Sequence, residues 1–150
     1  MTQNKKLHCT TIGCKMAYAV KGTIRLIQQR FTECRINLTM EQFFVLNILN
    51  NEEGLILQDL AEIVDRDKSA VLRHINGLEE HHYVVRSEDP DDRRKKILLI
   101  TKKGMKELDK AREVADQVND ELTEHIPSAK LDEYQKNIDI IYEKAIALAE

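Results

Sequence analysis

Four cations stand in a row at Arg93, Arg94, Lys95 and Lys96, directly after the turn-forming run Asp89-Pro90-Asp91-Asp92. Neighbouring like charges repel, so a chain gains no stability by gathering them. They suit phosphate oxygens, which arginine meets with a planar fork of donors and lysine with a point charge. The alternative is a solvated loop, because Glu88, Asp89, Asp91 and Asp92 balance the run in sum. A second set of candidates lies upstream at Arg66, Lys68, Ser69, Ala70, Arg73 and His74. Ser69 and Ala70 are small enough to let a backbone and a base edge approach. Arg73 is long enough to reach a guanine edge or a phosphate, Lys68 and Arg66 suit phosphates, and His74 stands at the rim of such a contact.

The elements that would position these groups follow from periodicity and turn chemistry. Two runs rich in Val, Leu and Ile, about 83–87 and 97–100, flank the Asp-Pro turn and predict a β-hairpin with the cations at or just after its tip. Upstream, Leu57, Leu60, Ala61 and Val64 recur at helical spacing over 57–64, and the polar break Asp65-Arg66-Asp67 ends that segment. The next helix runs from 68 to about 81, with Val71, Ile75 and Leu78 on one face and Asp67 as N-cap. Two short helices of this kind, the second with a small, polar and cationic outer face, have the layout of a helix-turn-helix, whose second helix enters the major groove of DNA. The basic hairpin that follows makes it a winged helix-turn-helix.

The flanking segments carry longer stripes. Met16, Val20, Ile24, Ile27 and Phe31 recur at spacings of three and four, and Thr39 with Gln42 forms a capping-box pair that opens a helix carrying Phe43, Phe44, Leu46 and Ile48. Thr101 can cap a helix to about 125, and Ser128 a last one in which Leu131, Tyr134, Ile138, Ile141, Ala145 and Leu148 keep heptad spacing. At 150 residues with 42% hydrophobic content the chain is long enough for one core. Its net charge of −3 conceals a segregation. Residues 1–65 are neutral in sum, 66–106 carry +4 and 107–150 carry −7, so the acidic balance leaves a nucleic-acid surface in the middle segment intact. No signal-peptide pattern and no apolar run of membrane-spanning length appears, so the expected location is the cytoplasm, away from membranes.

These motifs together resemble the MarR family of transcriptional regulators. The matching residues are Leu38-Thr39, Leu60-Ala61, Ser69, Arg73, Leu78-Glu79, Arg86, Asp89-Pro90, Asp92-Arg93-Arg94 and Ile100-Thr101-Lys102-Lys103-Gly104. His82 stands where the family usually has Gly, which calls for a left-handed or otherwise adjusted C-cap. Leu72 stands where a small hydroxyl residue is common. The resemblance implies a mainly α fold with a small β-hairpin wing, a single domain over 1–150. Its winged helix-turn-helix core would span 38–104, between dimerisation helices at 7–36 and 102–150. It implies a homodimer on a palindromic operator in double-stranded DNA, most often a repressor. It also implies that Arg94 enters the minor groove with Asp92 orienting its guanidinium, while Arg86, Arg93, Lys95 and Lys96 neutralise phosphates.

Two modes of release remain open at this level. One is a small aromatic or anionic effector held between the dimer helices and the winged head, with Tyr18, Phe31, Phe43 and Phe44 as candidate walls or as plain core. The other is thiol oxidation at Cys14, near the start of the first helix with Tyr18 one turn on, which resembles the organic-hydroperoxide-sensing branch of the family. Its spacing to Asn37-Leu38-Thr39 is one residue longer than in that branch. A helix N-terminus favours the thiolate. His74, His81 and His82 do not make a metal-ligand cluster, and no cofactor motif, Gly-rich phosphate loop or G-x-S-x-G elbow is present, which argues against an enzyme. A winged-helix adaptor that binds protein instead of DNA is the competing class, and the wing cations count against it.

Overall fold

A computed structural model describes residues 10–149. Among them six helices and one hairpin run in the order α1 (Ile12–Glu33), α2 (Met40–Asn51), α3 (Leu57–Ile63), α4 (Lys68–Glu80), β1 (Val84–Glu88), β2 (Lys96–Ile100), α5 (Lys102–Thr123) and α6 (Ser128–Ala149). The fold is thus mainly helical with a two-stranded antiparallel wing. Residues 7–9 of the expected first dimerisation segment lie outside the described residues. The chain divides into two compact units at Ala115 and Asp116, and α5 runs across the division.

In the first unit the core is built from Phe31, Leu46, Leu60, Val71, Ile75, Leu78 and Leu108, all sealed from solvent. Removing such side chains from water stabilises by about 1.5–3 kcal/mol each, and this packing holds the seven-residue α3, too short to persist alone. Of the apolar stripe expected on α1, Ile27 and Phe31 are buried, whereas Val20 is 56% exposed. Burial on this helix is therefore confined to its C-terminal half.

Side chains at the expected positions start three of the six helices. Thr39 and Gln42 close a full capping box on α2, and the Asp67 carboxylate accepts the N–H groups of Ser69 and Ala70 at the start of α4. The Thr101 hydroxyl accepts the Gly104 N–H at 3.0 Å, as expected of a cap on α5. At α6 the expected Ser128 cap is displaced by one residue. Ser128 is already helical, and the Pro127 carbonyl accepts from Lys130 and Leu131. Proline has no N–H to lose at a helix entrance, so its carbonyl starts the ladder and Ser128 contributes the first turn.

Three helices end in the same way without glycine. Arg35, Asp65 and His82 take φ of 56°, 48° and 59°. In each case the next residue donates back five positions, as Tyr83 N–H does to the Leu78 carbonyl at 2.8 Å. These are Schellman turns, and a residue with a Cβ carries a steric cost there. The left-handed cap expected at His82 is therefore present. It turns the chain from α4 directly into β1, so the wing begins at a fixed angle to the helix before it.

Candidate nucleic-acid interface

Helix α4 buries Val71, Ile75 and Leu78 and turns Lys68, Ser69, Arg73 and Asn76 to solvent. Its N-cap does more than start the helix. The Ser69 hydroxyl also donates to Asp67, and this bond, ahead of those from the backbone, holds the Asp67 carboxyl below the ordinary carboxylate range. The first turn is thereby fixed while Lys68 and Arg73 stay exposed. Ala70 and His74 are half-buried on one flank of the outward face, and Leu72 is half-buried on the other.

The wing pairs in the register Val84↔Ile100 to Glu88↔Lys96, and its tip is held by aspartates. Asp89 accepts the N–H groups of Asp91 at 2.8 Å and Asp92 at 3.0 Å, and these bonds lower its pKa. Asp92 accepts the backbone N–H of Arg94 at 3.0 Å. The role expected for Asp92 was a bond to the Arg94 guanidinium. Its carboxylate instead holds the backbone two residues on, the natural reach of so short a side chain. Asp89 and Asp92 are thus committed to the backbone of the tip. Among the described residues Arg93, Arg94 and Lys95 are exposed and carry no ion pair.

Two of the expected phosphate contacts are engaged elsewhere. Arg86 places one guanidinium nitrogen 3.0 Å from Glu79 and donates to Asn76 Oδ1 at 3.0 Å, both on α4. Lys96 pairs with Glu88 across the hairpin at 2.9 Å. Arg86 lies mid-strand beside α4 and Lys96 in the last strand pair before the turn, each close enough to an acid for pairing to compete with any external anion.

A capped helix with an outward Arg73, followed through a Schellman turn by a hairpin with three unpaired cations at its tip, is the geometry of a winged helix-turn-helix. Residues 38–96 match the sequence model of the MarR family. Over that segment the chain is similar to the MarR family. About nine-tenths of the chain also matches solved structures of MarR regulators at low identity, which shows the fold. A MarR transcriptional regulator from Methanosarcina mazei Go1 aligns with a TM-score of 0.80 at 23% identity, covering 91% of this chain and 97% of its own. MepR of S. aureus, solved in complex with DNA, aligns at 0.78 and 19%, covering 91% and 99%. CouR from Rhodococcus jostii RHA1, solved with p-coumaroyl-CoA, aligns at 0.74 and 24%, covering 87% and 90%. Among curated proteins none matches the sequence.

In this MarR-family fold the four aromatic candidates part company. Phe31 and Phe43 are buried core, in edge-to-face contact with centroids 5.6 Å apart, and Tyr18 lies on the exposed side of α1. Phe44 alone of the four faces a cleft of about 680 Å³ between α1, α2 and α4. The other walls of that cleft include Ile24, Val45, Val64, Arg66, Arg73 and His74. Phe31 and Phe43 thus follow the plain-core alternative, and helical spacing by itself cannot tell a core face from a cleft face. Cys14 is half-buried in the first turn of α1, where its N–H reaches the Thr11 hydroxyl at 3.4 Å.

A polar cluster that motif reading passed over ties the MarR-like winged domain to α5. Glu107 is buried, accepts the Asn37 N–H at 3.0 Å, bonds Tyr83 and approaches Lys110 at 3.4 Å. Burial first, and then the Glu107 charge, raise the Tyr83 pKa above its ordinary value. Lys103 donates to the His81 carbonyl at 2.8 Å and sits 5.3 Å from the centre of the Tyr83 ring. The cluster fixes the turn between α4 and the wing. Its signal in the sequence was a glutamate on the buried stripe of α5, between Gly104 and Ala111.

Proposed function

We propose that this chain is a sequence-specific double-stranded DNA-binding regulator of transcription, a repressor that acts as a homodimer on a palindromic operator and is released by a small-molecule effector. The observation that carries the reading is the division of labour at the wing tip, where aspartates hold the backbone and leave Arg93, Arg94 and Lys95 unpaired beside an exposed Arg73. Cations left without a close ion pair serve an external polyanion. Arg73 contacts a base edge, Lys68 and the tip cations hold phosphates, and Arg94 enters the minor groove. MepR, solved with DNA, supports this partner.

The dimer rests on α6, none of whose residues is buried. Tyr134, Ile138, Tyr142 and Leu148 are exposed on it, the last at 78%. A helix with so much apolar surface in water is completed by a second copy, and a two-fold dimer reads two half-sites about one helical turn apart. The effector occupies the cleft under Phe44. Arg73 and His74 of α4 form part of its wall, so a ligand there acts directly on the DNA-reading helix. CouR, solved with an aromatic acyl-CoA, supports an effector of that chemistry.

Titration of the purified chain with duplex DNA at two salt concentrations tests the reading. A steep fall of affinity with salt and sedimentation as a dimer are the expected results. A monomer with no DNA binding at low salt would favour a protein adaptor.

A further inference from the structure

The outward stripe of α4 consists of Ser69, Leu72, Arg73 and Asn76, at i, i+3, i+4 and i+7, and the structure shows which of their hydrogen-bonding groups are still available. The Ser69 proton is committed to Asp67. Asn76 Oδ1 accepts from Arg86 at 3.0 Å, and because a guanidinium is donor-only the amide must present its oxygen to Arg86 and its NH2 elsewhere. One of the two lone pairs of Oδ1 is thus taken, which weakens Asn76 for the paired donor-and-acceptor contact that recognises adenine. What it keeps whole is its NH2 donor. Its neighbour one turn back is Leu72, half-buried and apolar, in a stripe that is otherwise polar.

A donor next to an apolar group complements a single base edge in the major groove. Thymine presents an acceptor, O4, beside a 5-methyl group, whereas guanine presents two acceptors, cytosine a donor without a methyl, and adenine an acceptor beside a donor. We infer that Leu72 and Asn76 together read a thymine in each half-site, Leu72 packing on its 5-methyl and the Asn76 NH2 donating to O4. Arg86 of the wing positions Asn76 for that contact. The inference deepens the DNA-binding reading and rests on it.

The test begins with the intact wild-type chain and a pool of randomised duplexes, from which the tightest binder is selected. Each thymine of that duplex is then replaced in turn by deoxyuridine, which lacks only the methyl. At one symmetric position the replacement should weaken binding about three- to fivefold, the value of one apolar carbon removed from contact. Cytosine there should cost tenfold or more, since it also replaces the acceptor by a donor. In Leu72→Ala the deoxyuridine effect should vanish, and in Leu72→Met it should persist. Indifference of the wild type to deoxyuridine at every position overturns the inference and leaves the DNA-binding reading standing. An undiminished effect in Leu72→Ala does the same. No enriched duplex at all overturns both. The deoxyuridine scan uses the wild-type protein, so a negative result overturns the inference whether or not Leu72→Ala folds; should that variant not fold, Leu72→Ser takes its place, with the same loss of the deoxyuridine effect expected.

Discussion

The tip and the base of the wing carry the same kinds of residue and use them in opposite ways. At the tip, Asp89 and Asp92 bind backbone N–H groups, and Arg93, Arg94 and Lys95 are left without ion pairs among the described residues. On the strands below it, Arg86 is held by Glu79 and Asn76 and Lys96 by Glu88, and at the base the backbone is close-packed against α5. Both regions carry acids and cations, but availability differs. A carboxylate bonded to its own turn withholds its charge from neighbouring side chains only by geometry, whereas one facing across a strand or onto a helix meets a cation directly. The tip is therefore built to bind and the base to hold.

The contrast can be broken most forcefully at the base. A Cβ at Gly104 would lie 2.2 Å from the Tyr83 carbonyl oxygen, which also accepts the Thr101 N–H. Gly104→Ala should cost about 2–4 kcal/mol of folding stability in a denaturant titration, because backbone and not a movable side chain meets the new atom. A variant as stable as the parent would show that the base is not locked. At the tip, Arg94→Ala should leave the unfolding curve unchanged yet weaken DNA binding about tenfold or more, with the salt slope reduced by about one. Loss of stability in place of affinity would erase the distinction.

Arg86→Ala sharpens the comparison from the other side. It should cost about 1 kcal/mol of stability, from a partly exposed ion pair and one hydrogen bond. Nonspecific DNA binding should change by less than about threefold, and a larger loss would make Arg86 a phosphate contact after all. His82→Gly, in the left-handed turn that feeds the base, should raise stability by about 0.5–1 kcal/mol, since glycine adopts that φ without steric cost. An unchanged or lowered midpoint would mean that the His82 side chain contributes more than its backbone strain removes.

The smallest effect is acid softening of the tip and of the α4 N-cap. Hydrogen bonds hold Asp89 and Asp67 below the ordinary carboxylate range when folded. A lowered folded pKa means stabilisation that is fully present above the unfolded value of about 3.9 and is lost as pH falls through the folded one. Stability measured from neutral pH down to about pH 3 should fall less in Asp89→Asn than in the parent. Equal slopes would remove Asp89 from the tip's architecture.

Much of this was legible in the chain because the signals are local. Asp67, Thr39 with Gln42, and Thr101 cap within three residues of themselves, and aliphatic runs on either side of the Asp89-Pro90 turn make a hairpin whatever surrounds them. The buried stripe of α4 followed from helical periodicity, and the left-handed turn at His82 from the resemblance to a family that usually has a glycine at that position. What pairs with what across distance was not legible. Arg86 reads as one more wing cation until α4 brings Glu79 and Asn76 beside it. Phe31, Phe43 and Phe44 share one composition, and only packing sends two inward and one to the cleft.

By itself, then, the sequence determined the elements, their caps and the segregation of positive charge into residues 66–106, since these depend on neighbours within a turn or two. Tertiary structure alone decided which cations are available and which are neutralised, which amide oxygen on α4 is already taken, and that Glu107 is buried among Asn37, Tyr83 and Lys110. Hydrogen bonds and ion pairs act over about 3–4 Å in space, and periodicity carries no information about contacts made far apart along the chain.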